Sequence, residues 1–144
     1  MINSFRGKYY FLSNFYETPV TFDGITYRNN EAAFQAQKVL SKEEQTEFSN
    51  LNASEAKKLG RKVLLRKDWE DVKVLLMQEI VNAKFDQHPE LAALLIDTGD
   101  EYLEEGNTWG DKIWGTVDGK GQNLLGQILM KTRERLKEQE KDLV

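Results

Sequence analysis

The chain lacks cysteine altogether, has two prolines and carries a single histidine, and these absences exclude several kinds of chemistry. Without cysteine there is no disulfide, zinc–cysteine site or thiol nucleophile, and a reducing, cytoplasmic compartment is expected. His88 precedes Pro89 and is expected at a helix start, not in a Ser-His-Asp triad. No nucleophile elbow, P-loop, Rossmann fingerprint or metal-spaced cluster is present. An enzyme of this composition must use carboxylates, lysine, amides and aromatics, and we expect neither metal nor cofactor.

Long apolar runs are also missing. There is no N-terminal apolar signal region and no stretch of roughly 18 apolar residues, so neither secretion nor a membrane span is expected. With 144 residues, 40% apolar and 31% charged, the chain is expected to form one domain over residues 1–144. Its charged end, residues 138–144, is expected to fray. A net charge of −4 disfavours non-specific attraction to nucleic acid but leaves room for a local basic pocket.

The order of the predicted elements is a strand-rich start followed mainly by helices. Residues 8–12 and 19–28 favour strands, and Asp23-Gly24 between two alternating runs predicts a hairpin. Helix signals then follow at residues 30–40, after Ser41, from Asn52 to Gly60, at 69–85 after Asp68, from Pro89, and after Asn123. Residues 106–122 are glycine-rich and indicate a loop with a short strand near 113–117. The predicted fold class is α+β, predominantly helical, with a small N-terminal hairpin.

The helix predicted over residues 30–40 has polar side chains where its apolar pattern calls for core. Glu31, Gln35 and Lys38 fall at i, i+4 and i+7, so they share one face. Such a face is either a salt-bridged surface stripe or the lining of a site, and the preceding segment 11–16, FLSNFY, favours the site. The helix dipole favours the ionised form of a first-turn acid such as Glu31. The simpler interpretation of Glu31 is an acid that only stabilises the helix.

The loop over residues 107–115 forms a second cluster, with Asp111 between Trp109 and Trp114. Tryptophan offers a flat stacking face, and glycine allows a ligand to approach the backbone. The alternative is a hydrophobic plug beneath a long loop.

Basic residues form a third cluster, with Arg61 followed by Arg66 and Lys67. Arginine binds phosphate through paired N–H donors, whereas solvated surface charge is the simpler interpretation. A weaker signal is the glycine-rich turn 119–123, which leads into a helix N-terminus where backbone N–H groups bind anions.

In this order, the segments resemble the NADAR, or YbiA-like, family. Its pattern F-L-S-N-F-Y matches residues 11–16, and E-x-x-F-Q-A-Q-K matches 31–38. Further matches are D-G-x-x-Y at 23–27, G-R at 60–61, L-R-K-D-W at 65–69, A-K-F at 83–85, N-x-W-x-D-x-x-W-G at 107–115 and G-x-G-x-N-x-L-G at 119–126. The resemblance covers nearly the whole chain. A histidine that commonly follows the motif's glutamate is replaced here by Ala32.

The resemblance implies a compact, mostly helical α+β fold and an N-glycosidase. Some family members are linked to cleavage of the base–ribose bond in ribosylaminopyrimidine 5'-phosphates of riboflavin biosynthesis. Others are linked to removal of ADP-ribose from guanine in nucleic acid, and a third alternative is a non-catalytic module that binds ADP-ribose or NAD. The implied partner is a small ribosyl phosphate or an ADP-ribosylated substrate, which includes ADP-ribosylated nucleic acid. No membrane partner is implied, and the resemblance does not specify an oligomeric state.

The resemblance also implies roles for individual residues. Glu31 is expected to stabilise positive charge on the sugar or to activate water, and Asp111 to be a second acid/base or to bind ribose. The substrate-binding assignments are Trp114 and Trp109 stacking on the base, Lys38 and Arg61 on phosphate, Asn14 and Asn123 on ribose or base, Phe15 as a pocket wall, and Gln35 beside Glu31. The resemblance is compatible with Glu31 as a general base, a nucleophile or an electrostatic stabiliser.

Overall fold

The computed structural model describes residues 1–143, and the chain forms two compact units. The hairpin unit is Asn14–Gln87, and the terminal unit combines Met1–Ser13 with the chain from His88 onward. About half of the chain is helical and the sheet has two strands, which confirms the predicted α+β, predominantly helical class. The hairpin unit contains β1 (Glu17–Phe22), β2 (Ile25–Asn29), α1 (Asn30–Ala36), α2 (Lys42–Thr46), α3 (Ala53–Gly60) and α4 (Trp69–Gln87). The terminal unit contains a 3-10 helix (Gly7–Leu12), α5 (Pro89–Asp97) and α6 (Leu124–Asp142).

Strands β1 and β2 form the predicted antiparallel hairpin. Asp23 and Gly24 connect them with φ angles of 51° and 85°, both in the left-handed region that a tight two-residue hairpin turn needs. Val20 lies opposite Tyr27 in the register, and both side chains are buried. The hairpin therefore presents one apolar face to the rest of its unit.

Helix α1 lies at the centre of the hairpin unit, where it contacts both strands, α3 and α4. All seven of its residues are buried. The helix ends at Ala36, four residues before the predicted end, because the next amides bond three residues back and tighten the chain. Gln37 N donates to Phe34 O at 3.0 Å, and the Gln37 side chain takes the freed Ala33 carbonyl at 2.9 Å. Lys38 therefore lies in a turn just after α1.

Helices α2 and α3 begin at their predicted caps. The Ser41 hydroxyl accepts from Glu44 N at 3.1 Å. Asn52 and Glu55 form a reciprocal capping box, with the Asn52 side chain accepting from Glu55 N at 2.8 Å and Asn52 N donating to the Glu55 carboxylate at 2.9 Å. These caps satisfy N–H groups that the first turn of a helix leaves free.

Helix α4 forms as predicted, but its buried face is rotated from the predicted one. The apolar spacing predicts an inner face of Trp69, Val72, Leu76, Ile80 and Ala83, but Val72, Leu76 and Ala83 are only partly buried. The buried residues are Trp69, Met77, Ile80, Val81, Lys84 and Phe85. The nearly uniform distribution of apolar residues around this helix left the direction of its core face undetermined.

The terminal unit corrects the predicted first strand. Residues 8–12 belong to the 3-10 helix, not to a strand. Phe11 and Leu12 are adjacent and both buried, whereas successive side chains of a strand point to opposite faces. Pro89 occupies the first turn of α5 as predicted, with Leu91 and Leu95 buried.

The glycine-rich segment before α6 is a loop, and the predicted strand at 113–117 is replaced by isolated bridges. Gly106 bridges Thr116, and Val117 bridges Lys120. Helix α6 continues through Asp142, with exposed side chains from Glu138 to Asp142. Fraying of this end stays a prediction, and Val144 lies outside the described residues. Among residues 1–143, no helix is both long and apolar enough to cross a membrane.

Candidate functional site

The central feature of the hairpin unit is a buried carboxylate bonded to a buried amide. Gln35 Nε2 donates to Glu31 Oε2 at 2.7 Å, one helical turn along α1. Glu31 is 9% exposed and Gln35 is 7% exposed. A carboxylate at this depth needs hydrogen-bond donors and positive charge around it, because burial removes its hydration. The shared face predicted for these two residues is confirmed, and it faces inward instead of forming a surface stripe.

Two asparagines fix the helix turn that carries Glu31. The Asn29 side chain accepts from Ala32 N at 2.7 Å, and its amide donates to a Glu17 carboxylate oxygen at 2.7 Å. The Asn14 carbonyl accepts from Glu31 N at 3.0 Å. Asn29 therefore joins the hairpin to the start of α1, a role that sequence reasoning missed.

Lys38, Lys57 and Arg61 form a cationic cluster in which Lys38 interacts electrostatically with Glu31 and with the other two cations. Burial is the largest cause that lowers the pKa of Lys38; the charge of Glu31 opposes this shift, and those of Arg61 and Lys57 reinforce it. Lys38 is half-buried in the turn after α1, whereas Lys57 and Arg61 come from α3 and its end. Lys38 and Arg61, both predicted to bind phosphate, are close enough to influence each other electrostatically, and their phosphate-binding role stays a prediction. Lys57 is an additional member that sequence reasoning missed.

Aromatic rings lie against this cationic cluster. The Lys38 ammonium is 6.0 Å from the Trp69 ring centroid, and the Lys57 ammonium is 5.7 Å from that of Phe15. Trp69 in turn packs on Phe34 with ring centroids 5.0 Å apart. Phe15 was predicted as a pocket wall. Sequence reasoning did not predict Trp69 beside the cationic cluster, although Trp69 is the last residue of the L-R-K-D-W motif.

Asn14 is buried at the entrance to β1. Its amide Nδ2 lies 3.4 Å from the Met77 sulfur, which is a weak acceptor. This contact leaves Nδ2 with unused donor capacity.

The other predicted site residues, Asp111, Trp109, Trp114 and Asn123, lie in the terminal unit. Asp111 Oδ1 accepts from Ile113 N at 3.0 Å and from Trp114 N at 2.9 Å. This geometry closes a turn, so one oxygen of the carboxylate has a structural partner. Trp109 is 55% exposed and Trp114 is partly buried, so the two tryptophans do not form one hydrophobic plug.

Asn123 is the residue before α6, but its side chain does not cap that helix as predicted. Its φ of 53° is left-handed, and the side chain points to the segment that precedes the loop. The amide oxygen accepts from Glu105 N at 3.0 Å, and Nδ2 donates to Leu103 O at 2.9 Å. These bonds and its 2% exposure favour a structural role over the predicted contact with ribose or base.

The Asn107 side chain forms hydrogen bonds to backbone groups on both sides of the loop over residues 107–115. Its Nδ2 donates to the carbonyls of Asp111 at 2.9 Å, Thr116 at 3.1 Å and Glu105 at 3.3 Å. Its Oδ1 accepts from Asp111 N at 3.1 Å. One buried amide thereby satisfies polar backbone groups on both sides of the loop.

Replacing Asn107 by alanine is expected to lower the free energy of unfolding by about 2–3 kcal/mol, because buried backbone groups lose their partners. Urea denaturation measures this change. Thr108→Ala is the matched control, since Thr108 is its exposed neighbour in the same loop. Equal stability of the two variants would contradict the structural role of Asn107.

Comparison with known proteins assigns the chain to a family. The family model of the NADAR domain matches residues 3–137. The chain belongs to the NADAR family. It is 42% identical over 128 residues to the N-glycosidase YbiA of Escherichia coli, covering 86% of this chain and 79% of that protein. It is 39% identical over 132 residues to a riboflavin biosynthesis protein of Vibrio vulnificus, covering 89% of this chain and 36% of that protein.

A solved structure agrees with the NADAR assignment. The NMR structure of Escherichia coli YbiA matches with a TM-score of 0.83 and 37% identity, over 97% of this chain and 89% of that one. The resemblance inferred from the motifs is therefore confirmed. No group of three or more His, Cys, Asp or Glu side chains suited to a metal occurs among residues 1–143.

One NADAR motif position of this chain departs from the common pattern, because Ala32 stands where a histidine commonly follows the glutamate. Ala32 is fully buried, directly after Glu31 in the first turn of α1. A histidine at this position would have to displace its neighbours, because overpacking a buried site forces side chains or backbone to move.

Proposed function

We propose that this chain is an N-glycosidase that hydrolyses the base–ribose bond of ribosylaminopyrimidine 5'-phosphates of riboflavin biosynthesis. The observation that carries the proposal is the buried Glu31 carboxylate, which accepts a hydrogen bond from Gln35 and interacts with Lys38, the centre of the cationic cluster. The names of the relatives, an N-glycosidase and a riboflavin biosynthesis protein, support the reaction and the substrate class.

The chemistry of the reaction fits an anionic group beside the sugar. As the bond from C1 to nitrogen breaks, positive charge builds on the ribose ring, and a nearby carboxylate stabilises it or accepts a proton from the attacking water. Water adds its hydroxyl to C1, and the leaving nitrogen takes a proton. In this proposal Glu31 acts at C1, and Gln35 donates to Glu31 so that one carboxylate oxygen stays fixed.

The cations supply the complementary half of the site. A ribose 5-phosphate brings negative charge, and Lys38 and Arg61 are assigned to it, with Lys57 as a third cation within the same cluster. The rings of Phe15 and Trp69, which lie against these ammonium groups, provide an apolar wall. Asn14 has donor capacity for a ribose hydroxyl, since the Met77 sulfur is the one acceptor of its Nδ2 among residues 1–143.

The roles assigned to the terminal unit stay predictions. Asp111 is retained as a second acid/base or ribose-binding group through its carboxylate, and Trp114 and Trp109 as stacking partners of the base. Asn123 is not retained as a substrate ligand, because its amide hydrogen bonds are made within the protein.

A second candidate function is hydrolysis of ADP-ribose from guanine in nucleic acid, and one observation favours it. Residues 57–67 carry six Lys or Arg and no acid, in a chain whose net charge is −4. Arg66 pairs with Asp68 at 2.6 Å, whereas no described residue forms an ion pair with Lys58, Lys62 or Lys67. This basic segment begins at Lys57 of the cationic cluster and offers positive charge for more than one phosphate.

A turnover assay on two substrates tests these functions. The wild-type protein is given 5-amino-6-(5-phosphoribosylamino)uracil and, separately, DNA that carries ADP-ribose on guanine. We expect release of ribose 5-phosphate from the first substrate. Release of ADP-ribose from the DNA alone would replace the proposal by the second candidate. Binding of ADP-ribose without turnover of either substrate would overturn both and leave a non-catalytic binding module.

A further inference from the structure

We propose that Gly60 is a positioning residue for Glu31, acting through the carboxamide of Gln35. This inference rests on the proposed function insofar as Glu31 acts on substrate, but the placement of Gln35 can be measured without any turnover. Gly60 is the last residue of α3, and α3 packs against α1, which carries both Glu31 and Gln35.

The space that a side chain would occupy at residue 60 is taken by Gln35. A Cβ on Gly60 would lie 1.9 Å from Gln35 Oε1 and 2.8 Å from Gln35 Cδ. Both distances are shorter than any ordinary contact between non-bonded carbon and oxygen or carbon atoms. The Gln35 carboxamide can therefore keep its place only if residue 60 has no side chain.

Backbone conformation does not explain the glycine. Gly60 is helical, and it is not among the glycines with positive φ, so alanine would adopt the same backbone and favour the helix. Among the described residues, the Gln35 side chain supplies the three atoms nearest to an added Cβ, and its carboxamide is what excludes alanine. The far end of a side chain moves more easily than a backbone segment, so a Cβ at residue 60 is expected to displace Gln35 and to leave the fold in place.

The displaced group is the one that holds Glu31. Gln35 Nε2 donates to Glu31 Oε2 at 2.7 Å, while Gln35 Oε1 is buried and has no hydrogen-bond partner among the described residues. No hydrogen bond on the oxygen side anchors the carboxamide, so packing against Gly60 sets the direction in which Nε2 points. A shift of the carboxamide by the length of one carbon bond breaks its hydrogen bond to Glu31.

A double-mutant cycle tests this chain of contacts. Gly60→Ala is expected to lower kcat/KM roughly 10- to 100-fold, as is typical when a reacting group is misplaced by about 1 Å. In a Gln35→Ala background the same change is expected to alter kcat/KM by less than about twofold, because Gly60 acts only through Gln35. A merely structural role would make the two effects multiply. The control is Ser54→Ala, an exposed position of α3.

Nitrogen-15 NMR of the Gln35 side-chain amide separates this inference from the proposed function. Gly60→Ala is expected to shift the Gln35 Nε2 resonances, and Ser54→Ala to leave them in place. If the wild type turns over neither substrate, the proposed function fails and the NMR arm still decides the positioning. Unchanged Gln35 resonances, or multiplicative losses in the double variant, would overturn the role of Gly60.

Discussion

Replacing Glu31 by glutamine is expected to lower kcat on the order of 10³-fold with the fold intact. Glutamine keeps the size of the side chain and an oxygen that accepts from Gln35, but it carries no charge. A neutral amide neither stabilises a positive sugar ring nor takes a proton from water, and one such group contributes about 10²- to 10⁴-fold. Initial rates with saturating substrate give kcat, and thermal unfolding shows that the variant is folded.

The matched control is Glu43→Gln. Glu43 is also a first-turn acid, in α2 of the same unit, but it is exposed. If Glu31 only stabilises its helix through the dipole, both variants should lose a few tenths of a kcal/mol in stability and neither should lose activity. Activity of Glu31→Gln within tenfold of the wild type would remove Glu31 from the mechanism.

Local signals predicted the hairpin and the caps of α2 and α3. Asp23-Gly24 determines its turn through two left-handed residues, and Asn52 with Glu55 forms a cap within four residues of chain. Each of these features depends on neighbours in sequence, so the residues alone contain the information. The pairing of Glu31 with Gln35 belongs to the same class, since one helical turn brings the two side chains together.

Features that depend on packing were predicted less well. Residues 8–12 have the aromatic content of a strand, yet both Phe11 and Leu12 are buried and the segment forms a 3-10 helix. Helix α1 ends at Ala36 because the next backbone amides bond to the third residue back, not the fourth. No proline or glycine in the sequence marks this end. In both places the tertiary environment decides between local conformations of similar energy.

The residues of the candidate site divide in the same way into those predicted from local sequence and those brought in by packing. Glu31, Gln35 and Lys38 were found from spacing on one segment, whereas Lys57, Gly60 and Trp69 join them from α3 and α4. Their proximity arises from helix packing, which periodicity does not encode. In the other direction, motif membership predicts that Asn123 binds substrate, while its side-chain hydrogen bonds go to the backbone of Leu103 and Glu105, before the loop. A motif indicates that a residue matters without separating a binding role from a structural one.

Lys84 is a buried cation that no spacing rule identified as unusual. It lies on the inner face of α4, 1% exposed, with its ammonium 5.5 Å from the Tyr16 ring centroid and 5.3 Å from that of Phe85. Cation–π contacts compensate part of the lost hydration. Burial nevertheless lowers the pKa of Lys84 from 10.5 to about 7, so the folded protein holds this proton much less tightly than the unfolded chain.

The stability of the wild type is therefore expected to rise with pH relative to that of Lys84→Met. Below pH 7 both the folded and the unfolded chain carry the proton, and the folded state bears the full cost of the buried charge. Between pH 7 and 10.5 the folded chain has lost the proton while the unfolded chain keeps it. Well above pH 7 the free energy of unfolding increases by about 1.4 kcal/mol per pH unit. The rise from pH 7 to pH 9 is about 2 kcal/mol, because half of the folded molecules still carry the proton at pH 7.

Urea denaturation of both proteins at pH 6, 7.5 and 9 measures this dependence, since all other titrating groups are common to the two and cancel in the difference. Lys58→Met serves as the control, because Lys58 is exposed on α3 and its replacement should leave the difference from the wild type independent of pH. A difference between wild type and Lys84→Met that stays constant within about 0.5 kcal/mol across this range would mean that Lys84 keeps its proton in the folded state. Its charge would then have to be stabilised at that depth by the hydrogen bonds and rings around it, as strongly as water stabilises it in the unfolded chain.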